Sequence, residues 1–185
     1  MIRFVLAIAL YYGINLSAQG IDRVSKAEIR SVLESVTDAF TSKLSFVNTL
    51  KQPLNIEVIR KLDSSHILLS PTDLLFLETQ ISNYKPIVLD SSYLPHANFM
   101  DGKDFETVFA FDSLNSQKDG WDIFYKKYGL GYYMISYPLF NKKKNICIFY
   151  LEMSVGSLGG SGEIRIYKRR KNAWKLYKIK SMWDS

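Results

Sequence analysis

Residues 145–182 read NICIFYLEMSVGSLGGSGEIRIYKRRKNAWKLYKIKSM, and segments rich in Ile, Tyr, Phe and Val alternate there with turn residues. With the similar segment just before them, they predict four strands, at Tyr132–Tyr137, Asn145–Val155, Glu163–Arg169 and Trp174–Met182. Short connections join antiparallel neighbours. The last third of the chain is therefore predicted to be a four-stranded antiparallel meander.

A helix is predicted after residue 25. Ser25 and Glu28 form an S-x-x-E capping box, in which each side chain satisfies a free backbone N–H of the first turn. Apolar residues follow at helical spacing from Ile29 to Val47. This spacing predicts one long helix that ends near Gln52.

The middle of the chain predicts shorter elements. Ser70 as a cap and Pro71 at the first helical position predict a second helix that ends near Asn83. Beyond it, the sequence is consistent with short strands at 87–89 and 107–111, a turn at 101–102 and a short helix over 120–128. Helices followed by strands predict an α+β domain with N-terminal helices packed on one face of a C-terminal antiparallel meander sheet. The alternative is a cone of helix and curved sheet of the NTF2-like kind.

The first twenty residues have the pattern of a secretion signal. A short positive region, Met1–Arg3, precedes an apolar stretch, Phe4–Ile14. A region of mostly small and polar residues, Asn15–Gly20, follows. The apolar stretch is shorter than the roughly 20 residues that a membrane-spanning helix needs. We expect a signal peptide at 1–20, a single α+β domain at 21–185, and a periplasmic or secreted location. The competing interpretation is a buried N-terminal helix.

The chain contains one cysteine, Cys147, so an internal disulfide and a Cys-rich metal site are excluded. Lipidation at a new N-terminal cysteine is excluded too, because Cys147 lies far from the signal. Its apolar neighbours predict a buried, inert thiol. No later segment is long and apolar enough to span a bilayer.

Positive charge is concentrated in the predicted sheet. Residues 141–185 carry eleven Lys and Arg against three acids, a net of +8, whereas residues 1–140 have a net of −2. The run Lys168, Arg169, Arg170, Lys171, with Tyr177 nearby, is the candidate binding site. Its candidate partners are an anionic glycan, a lipid headgroup or an acidic protein. Nucleic acid is not expected for an exported chain, and the competing interpretation is a solvated, aggregation-resistant sheet face.

Other motifs indicate structural roles rather than catalytic or ligand-binding ones. The glycines between 156 and 162 lead into a strand rather than a helix, so a hairpin with residues at positive φ explains them better than a phosphate loop. Aromatic residues at strand spacing are expected mainly in the core. No metal site or cofactor is expected, since His66 and His96 are isolated. Catalytic residues are not assigned, although aspartates are grouped at 90, 101, 104 and 112.

The sequence around Ile135-Ser-Tyr-Pro-Leu-Phe140, the glycine cluster, Trp174-Lys175 and the final Trp183 resembles a group of small exported Bacteroidetes proteins of unknown function. The shared pattern is S-x-P-x-F, a strand, a glycine-rich turn, a strand, and W-K before a last tryptophan. The resemblance covers about the last third of the chain. It implies a structural role for this pattern, in which the tryptophans fill the interface between helices and sheet.

These observations favour a non-enzymatic exported domain that binds a ligand or partner. One alternative is a hydrolase of cell-envelope or glycan substrates that uses carboxylates between Asp90 and Asp112. The other is an inhibitor or immunity-type protein that binds an acidic partner through a basic hairpin.

Overall fold

The computed structural model describes residues 24–37, 44–64, 67–114 and 120–184. The predicted signal peptide at 1–20 lies outside them. Five helices occur in these ranges: α1 (Lys26–Thr37), α2 (Ile56–Leu62), α3 (Pro71–Ser82), α4 (Gly102–Leu114) and α5 (Gly120–Tyr128). None of the helices in this part of the chain could cross a membrane.

The strands are β1 (Leu44–Val47), β2 (Asn98–Met100), β3 (Gly131–Ile135), β4 (Leu139–Phe140), β5 (Ile146–Ser154), β6 (Gly160–Arg170) and β7 (Ala173–Asp184). They form one open sheet in the order β2-β1-β3-β5-β6-β7, with β4 on β5. β1 pairs in parallel with β2 and β3, and the pairs from β3 to β7 are antiparallel. The α+β class and the predicted meander are confirmed.

Helices cover both faces of the sheet, whereas we expected helices on one face only. Alternate strand residues point to opposite faces. Cys147 and Phe149 of β5 pack with α1, and we call this side the α1 face. Ile146 and Ile148 pack with Ile59 of α2 and Leu77 of α3 on the other side, the α3 face. Helices α4 and α5 also lie on the α3 face, in the cluster that contains alternate residues of β3.

Local capping explains where two of the helices begin. Ser25 and Glu28 make the predicted capping box of α1, with the Ser25 N–H donating to the Glu28 carboxylate at 2.7 Å. Ser70 and Asp73 make another at α3. The Asp73 carboxylate also accepts from the backbone N–H of Lys142 at 2.9 Å, which ties α3 to the turn before β5.

The predicted long first helix is wrong in its second half. Helix α1 ends at Thr37, and residues 44–47 form β1 instead. Phe46 and Val47, both buried, belong to clusters on opposite faces of the sheet. The apolar spacing fitted a helix, but burial on both sides of a short parallel strand produces a similar pattern.

Two more elements differ from the predictions. The proposed strand at 107–111 lies inside α4, which Asp101 caps by accepting the Lys103 N–H at 2.8 Å. Helix α2 was not predicted, because its seven residues are too short for a clear periodic signal. At 87–89 the structure has a single bridge, between Thr49 and Val88, rather than a strand.

Candidate binding surface on the β6–β7 hairpin

A tight turn joins β6 to β7. Lys171 and Asn172 have positive φ angles of 48° and 65°, and Arg170 pairs with Ala173 across the turn. Two central residues at positive φ match the right-handed twist of the adjoining strands. Lys171 adopts this conformation although most non-glycine residues avoid it, and its side chain is exposed at the tip of the hairpin.

Two irregularities in the pairing set the direction of the β7 side chains. Lys168 pairs with Lys175 and Ile166 pairs with Lys178, so Tyr177 is an extra residue in β7. A second shift lies between Gly162 and Glu163, opposite Met182. Each extra residue reverses the alternation of the residues that follow.

The first bulge brings the lysines of β7 to one side. Lys175 and Lys178 are three residues apart and would point to opposite faces in a regular strand. Because of the bulge, both lie on the α3 face, where Lys180 joins them opposite Ile164. We call the cations that the register puts on this side the basic face: Lys168, Arg170, Lys175, Lys178 and Lys180.

The structure brings together only some of the predicted site residues. The Nζ atom of Lys168 lies 3.6 Å from the centre of the Tyr177 ring, so Tyr177 contacts the basic face through Lys168. Arg169 points to the α1 face, where its guanidinium lies 5.8 Å from the centre of the Trp174 ring. The predicted run is therefore divided between two faces.

Three residues of the basic face were missing from the predicted site. Lys175, Lys178 and Lys180 are all exposed. Sequence reasoning counted their charges but could not place them beside Lys168, because the bulge at Tyr177 is not visible in the pattern.

The cations of the basic face form no ion pair among the described residues. The ion pairs found there lie elsewhere, for example Lys51 with Glu152 at 2.6 Å and Lys144 with Glu28 at 3.1 Å. None of those identified in the described ranges includes a cation of the basic face. The positive potential of this face is thus open to a partner.

Strand β7 also exposes apolar side chains, on the side opposite its lysines. Leu176 pairs with Tyr167 and Ile179 pairs with Arg165, both on the α1 face. Leu176 is 48% exposed and Ile179 is 45% exposed. Helix α1 reaches the start of β7, where the buried Trp174 indole donates to the Ser31 hydroxyl at 3.0 Å. The rest of the strand is exposed.

The glycine region serves packing. Gly156 alone in this cluster has a positive φ, of 121°. Gly160 and Gly162 lie within β6, where the Trp183 ring covers them: a Cβ on Gly162 would come within 2.1 Å of the indole nitrogen. Trp183 donates to the Tyr150 hydroxyl at 2.8 Å. Trp174 fills the helix–sheet interface as the resemblance implied, but Trp183 is 39% exposed and lies on the glycines instead.

Cys147 is fully buried in β5 beneath α1. Burial raises the pKa of its thiol well above the ordinary value. The predicted buried thiol is confirmed.

The grouped aspartates make separate local contacts. Asp90 accepts from the Ser92 N–H at 2.8 Å, Asp101 caps α4, and Asp104 accepts from the Tyr128 hydroxyl at 2.6 Å. That hydroxyl, the Lys127 ammonium and its charge hold the pKa of Asp104 below the usual value. The side chain of Asp112 lies outside the described set, as does His66, and His96 is exposed. No group of three or more potential metal ligands occurs among the residues described.

An open groove of about 430 Å³ lies where β1 and β2 end. Asn48, Lys51, Asp101 and Glu106 contribute to its walls. Asn48 accepts from the Gly102 N–H at 3.0 Å, and Lys51 pairs with Glu152. Asn48 and Asp101 thus hold backbone N–H groups, and Lys51 is used in an ion pair.

Functional information on this chain comes from its geometry, because comparisons with known proteins found no match. No protein-family model, no curated protein and no solved structure matches this chain.

Proposed function

We propose that this chain is an exported, non-enzymatic domain that binds an acidic protein through the β6–β7 hairpin. The proposal includes removal of residues 1–20 as a signal peptide and a periplasmic or secreted location. Its main support is the basic face, where five cations on two adjacent strands form no ion pair among the described residues.

The shape of the hairpin favours a protein over a lipid surface. Peripheral membrane binding uses apolar groups that enter the bilayer while cations of the same surface meet the headgroups. On β7, Leu176 and Ile179 point to the α1 face and the lysines point to the α3 face. A flat membrane could not contact both sides of the strand at once.

The aromatic residues give less support to a glycan partner. Sugar recognition by stacking needs an open ring face, but Lys168 covers the Tyr177 ring and Trp174 is 6% exposed. Trp183 lies on Gly160 and Gly162. A polypeptide can instead use the cations, the apolar side chains and the backbone of β7 together.

The hydrolase alternative has no comparable support. Its candidate carboxylates are held in separate caps and turns, as described above for Asp90, Asp101 and Asp104. A catalytic acid and base need to converge on one bond.

The proposal can be tested in the protein's own cells with a photo-crosslinking amino acid at position 179. We expect a crosslink to a protein with a strongly acidic surface, and we expect its yield to fall as salt is raised. Mass analysis of the purified chain should show that cleavage has occurred after residue 18 or residue 20.

Matched neutralisations provide the control. Lys175→Gln, Lys178→Gln and Lys180→Gln together should abolish the crosslink. Lys61→Gln, Lys85→Gln and Lys126→Gln remove the same charge from exposed positions elsewhere and should leave it intact. Equal losses in both triple variants, a salt-independent crosslink, or a glycan or lipid in place of a protein would contradict the proposal. An intact Met1 would contradict its export component.

A further inference from the structure

We infer that the partner binds by adding a strand to the free edge of β7, and that this strand alternates acidic and apolar side chains. This inference rests on the proposed function and specifies how that function is performed. The occupant is a segment of an acidic protein rather than a second copy of this chain.

The length and position of β7 provide the first argument. Its twelve residues lie at one end of the sheet, and β6 is its one strand neighbour in the described part of the chain. The opposite edge, β2, has three residues. A long exposed edge presents unpaired backbone N–H and C=O groups that can template another strand.

The register shows which backbone groups face outward. Arg170 and Ala173 flank a two-residue turn and so form a hydrogen-bonded pair, and bonded pairs alternate along the ladder. The Arg169 N–H accordingly turns away from β7 and donates to the Asn145 carbonyl at 2.8 Å. The bonded pairs continue as Lys168 with Lys175 and Ile166 with Lys178, with Tyr177 as the extra residue. The N–H and C=O groups of Leu176 and Ile179, which lie between or beyond these pairs, therefore face the free edge.

The side chains specify the chemistry of the added strand. Next to β7, its residues would alternate between the α3 face, beside Lys175, Lys178 and Lys180, and the α1 face, beside Leu176 and Ile179. Opposite charges and apolar pairs across strands are favourable. Acidic residues are therefore expected on the α3 face and apolar residues on the α1 face.

Like charge disfavours a second copy at this edge. Pairing two β7 strands about a two-fold axis would put both sets of lysines on one face, and like charges directly opposite are destabilising. Lysines and bulges are also common devices against indiscriminate edge pairing. On β7 they reject uncharged and basic strands while they favour an acidic one.

The test uses an octapeptide that alternates valine and glutamate, its binding measured by calorimetry. Two versions of the peptide carry methyl groups on backbone nitrogens and keep its charge. One is methylated on the backbone nitrogens of the valines, and the other on those of the glutamates. In strand pairing, only one of these sets of amides faces β7, so one version should bind at least about tenfold more weakly and the other should bind like the parent. Loss with methylated valines indicates an antiparallel strand, and loss with methylated glutamates a parallel one.

A protein variant provides the reciprocal measurement. Ile179→Pro removes an outward N–H, which an edge strand tolerates, and should weaken parent peptide binding at least about tenfold. Ile179→Thr keeps the N–H and should bind much more tightly than the proline variant. Circular dichroism checks that both variants fold, and if the proline variant does not fold, the methylated peptides decide.

The outcomes separate the two proposals. Equal, salt-sensitive binding of all three peptides would overturn strand addition but keep the acidic partner. No binding of any of them, even at low salt, would overturn strand addition and would count against the proposed function, which the crosslinking experiment then decides. Self-association of the protein through β7, detected by sedimentation and abolished by Ile179→Pro, would overturn the choice of occupant.

Discussion

The contact between Trp183 and the glycines of β6 predicts a stability effect that changes sign with its background. Gly162 is buried, and a Cβ at this position would lie 2.1 Å from the Trp183 indole nitrogen and 2.2 Å from the Tyr150 hydroxyl. Both atoms belong to side chains that can move. Gly162→Ala should therefore displace Trp183 from β6 without breaking the backbone ladder.

The magnitude follows from what the displaced ring loses. Its hydrogen bond to Tyr150 is worth about 0.5–1.5 kcal/mol. Releasing a partly buried aromatic ring costs roughly 1 kcal/mol more. Alanine in place of glycine within a strand returns about 0.5–1 kcal/mol. Gly162→Ala alone should lower the free energy of unfolding by about 0.5–2 kcal/mol, the sum of these opposing effects.

In a Trp183→Ala background the obstacle is removed and the Tyr150 hydroxyl is free to turn away. Gly162→Ala should then be neutral or stabilising by up to about 1 kcal/mol. Urea unfolding followed by far-ultraviolet circular dichroism measures all four members of the cycle. Ser161→Ala, between the glycines and on the opposite face, is the control and should change stability by less than about 0.5 kcal/mol. An equal loss from Gly162→Ala in both backgrounds would refute the proposed contact.

Three further predictions follow from other sites. Burial raises the pKa of Asp73, but hydrogen bonds from Ser70 and Lys142 and the charge of Lys143 outweigh it and hold that pKa below the usual value. Asp73→Ala should thus cost about 1–2 kcal/mol near neutral pH, and less as the pH falls through the pKa of the folded state, as urea unfolding at several pH values would show. The Cys147 thiol should react with a disulfide reagent only at the rate of unfolding, and fast labelling of the native protein would contradict its burial. Lys171→Gly should raise the free energy of unfolding by about 0.5–1 kcal/mol because it relieves a positive φ, whereas Asn172→Gly should change it little because asparagine tolerates this conformation. Urea unfolding measures both changes, and in the crosslinking assay only Lys171→Gly should weaken binding of the acidic partner.

Elements with strong local signals were predictable from the sequence. The second predicted helix, α3, begins and ends where Ser70, Pro71 and Asn83 indicate, and α5 spans Gly120–Tyr128 as expected. The meander strands lie within a few residues of their predicted bounds, because each is enclosed by turn residues and each connects to its neighbour. In these segments local preference and tertiary packing agree.

Elements that depend on distant partners were not predictable. Strand β1 has four residues, and it is a strand because β2 and β3 pair with it on both sides, from positions about fifty and ninety residues further along the chain. Phe46 and Val47 satisfy a helical spacing as well as a buried strand. The choice between them is made by the tertiary pairing, which the local pattern does not contain.

On the candidate binding surface, a single residue decides an arrangement that the sequence pattern does not contain. Sequence reasoning singled out this hairpin, but a regular strand would have put Lys175 on one side and Lys178 and Lys180 on the other. The extra residue at Tyr177 moves all three to the α3 face and, by the same step, puts Leu176 and Ile179 together on the α1 face. One bulge thus separates charge from apolar surface along an open edge, and this separation is what an alternating acidic strand could recognise. Deleting Tyr177 should therefore remove the bulge but keep Lys175, Lys178 and Lys180 on the α3 face, because these lysines would then occupy alternate positions of a regular strand. Binding of the acidic partner should persist in this variant, and its loss would contradict the role of the shared face.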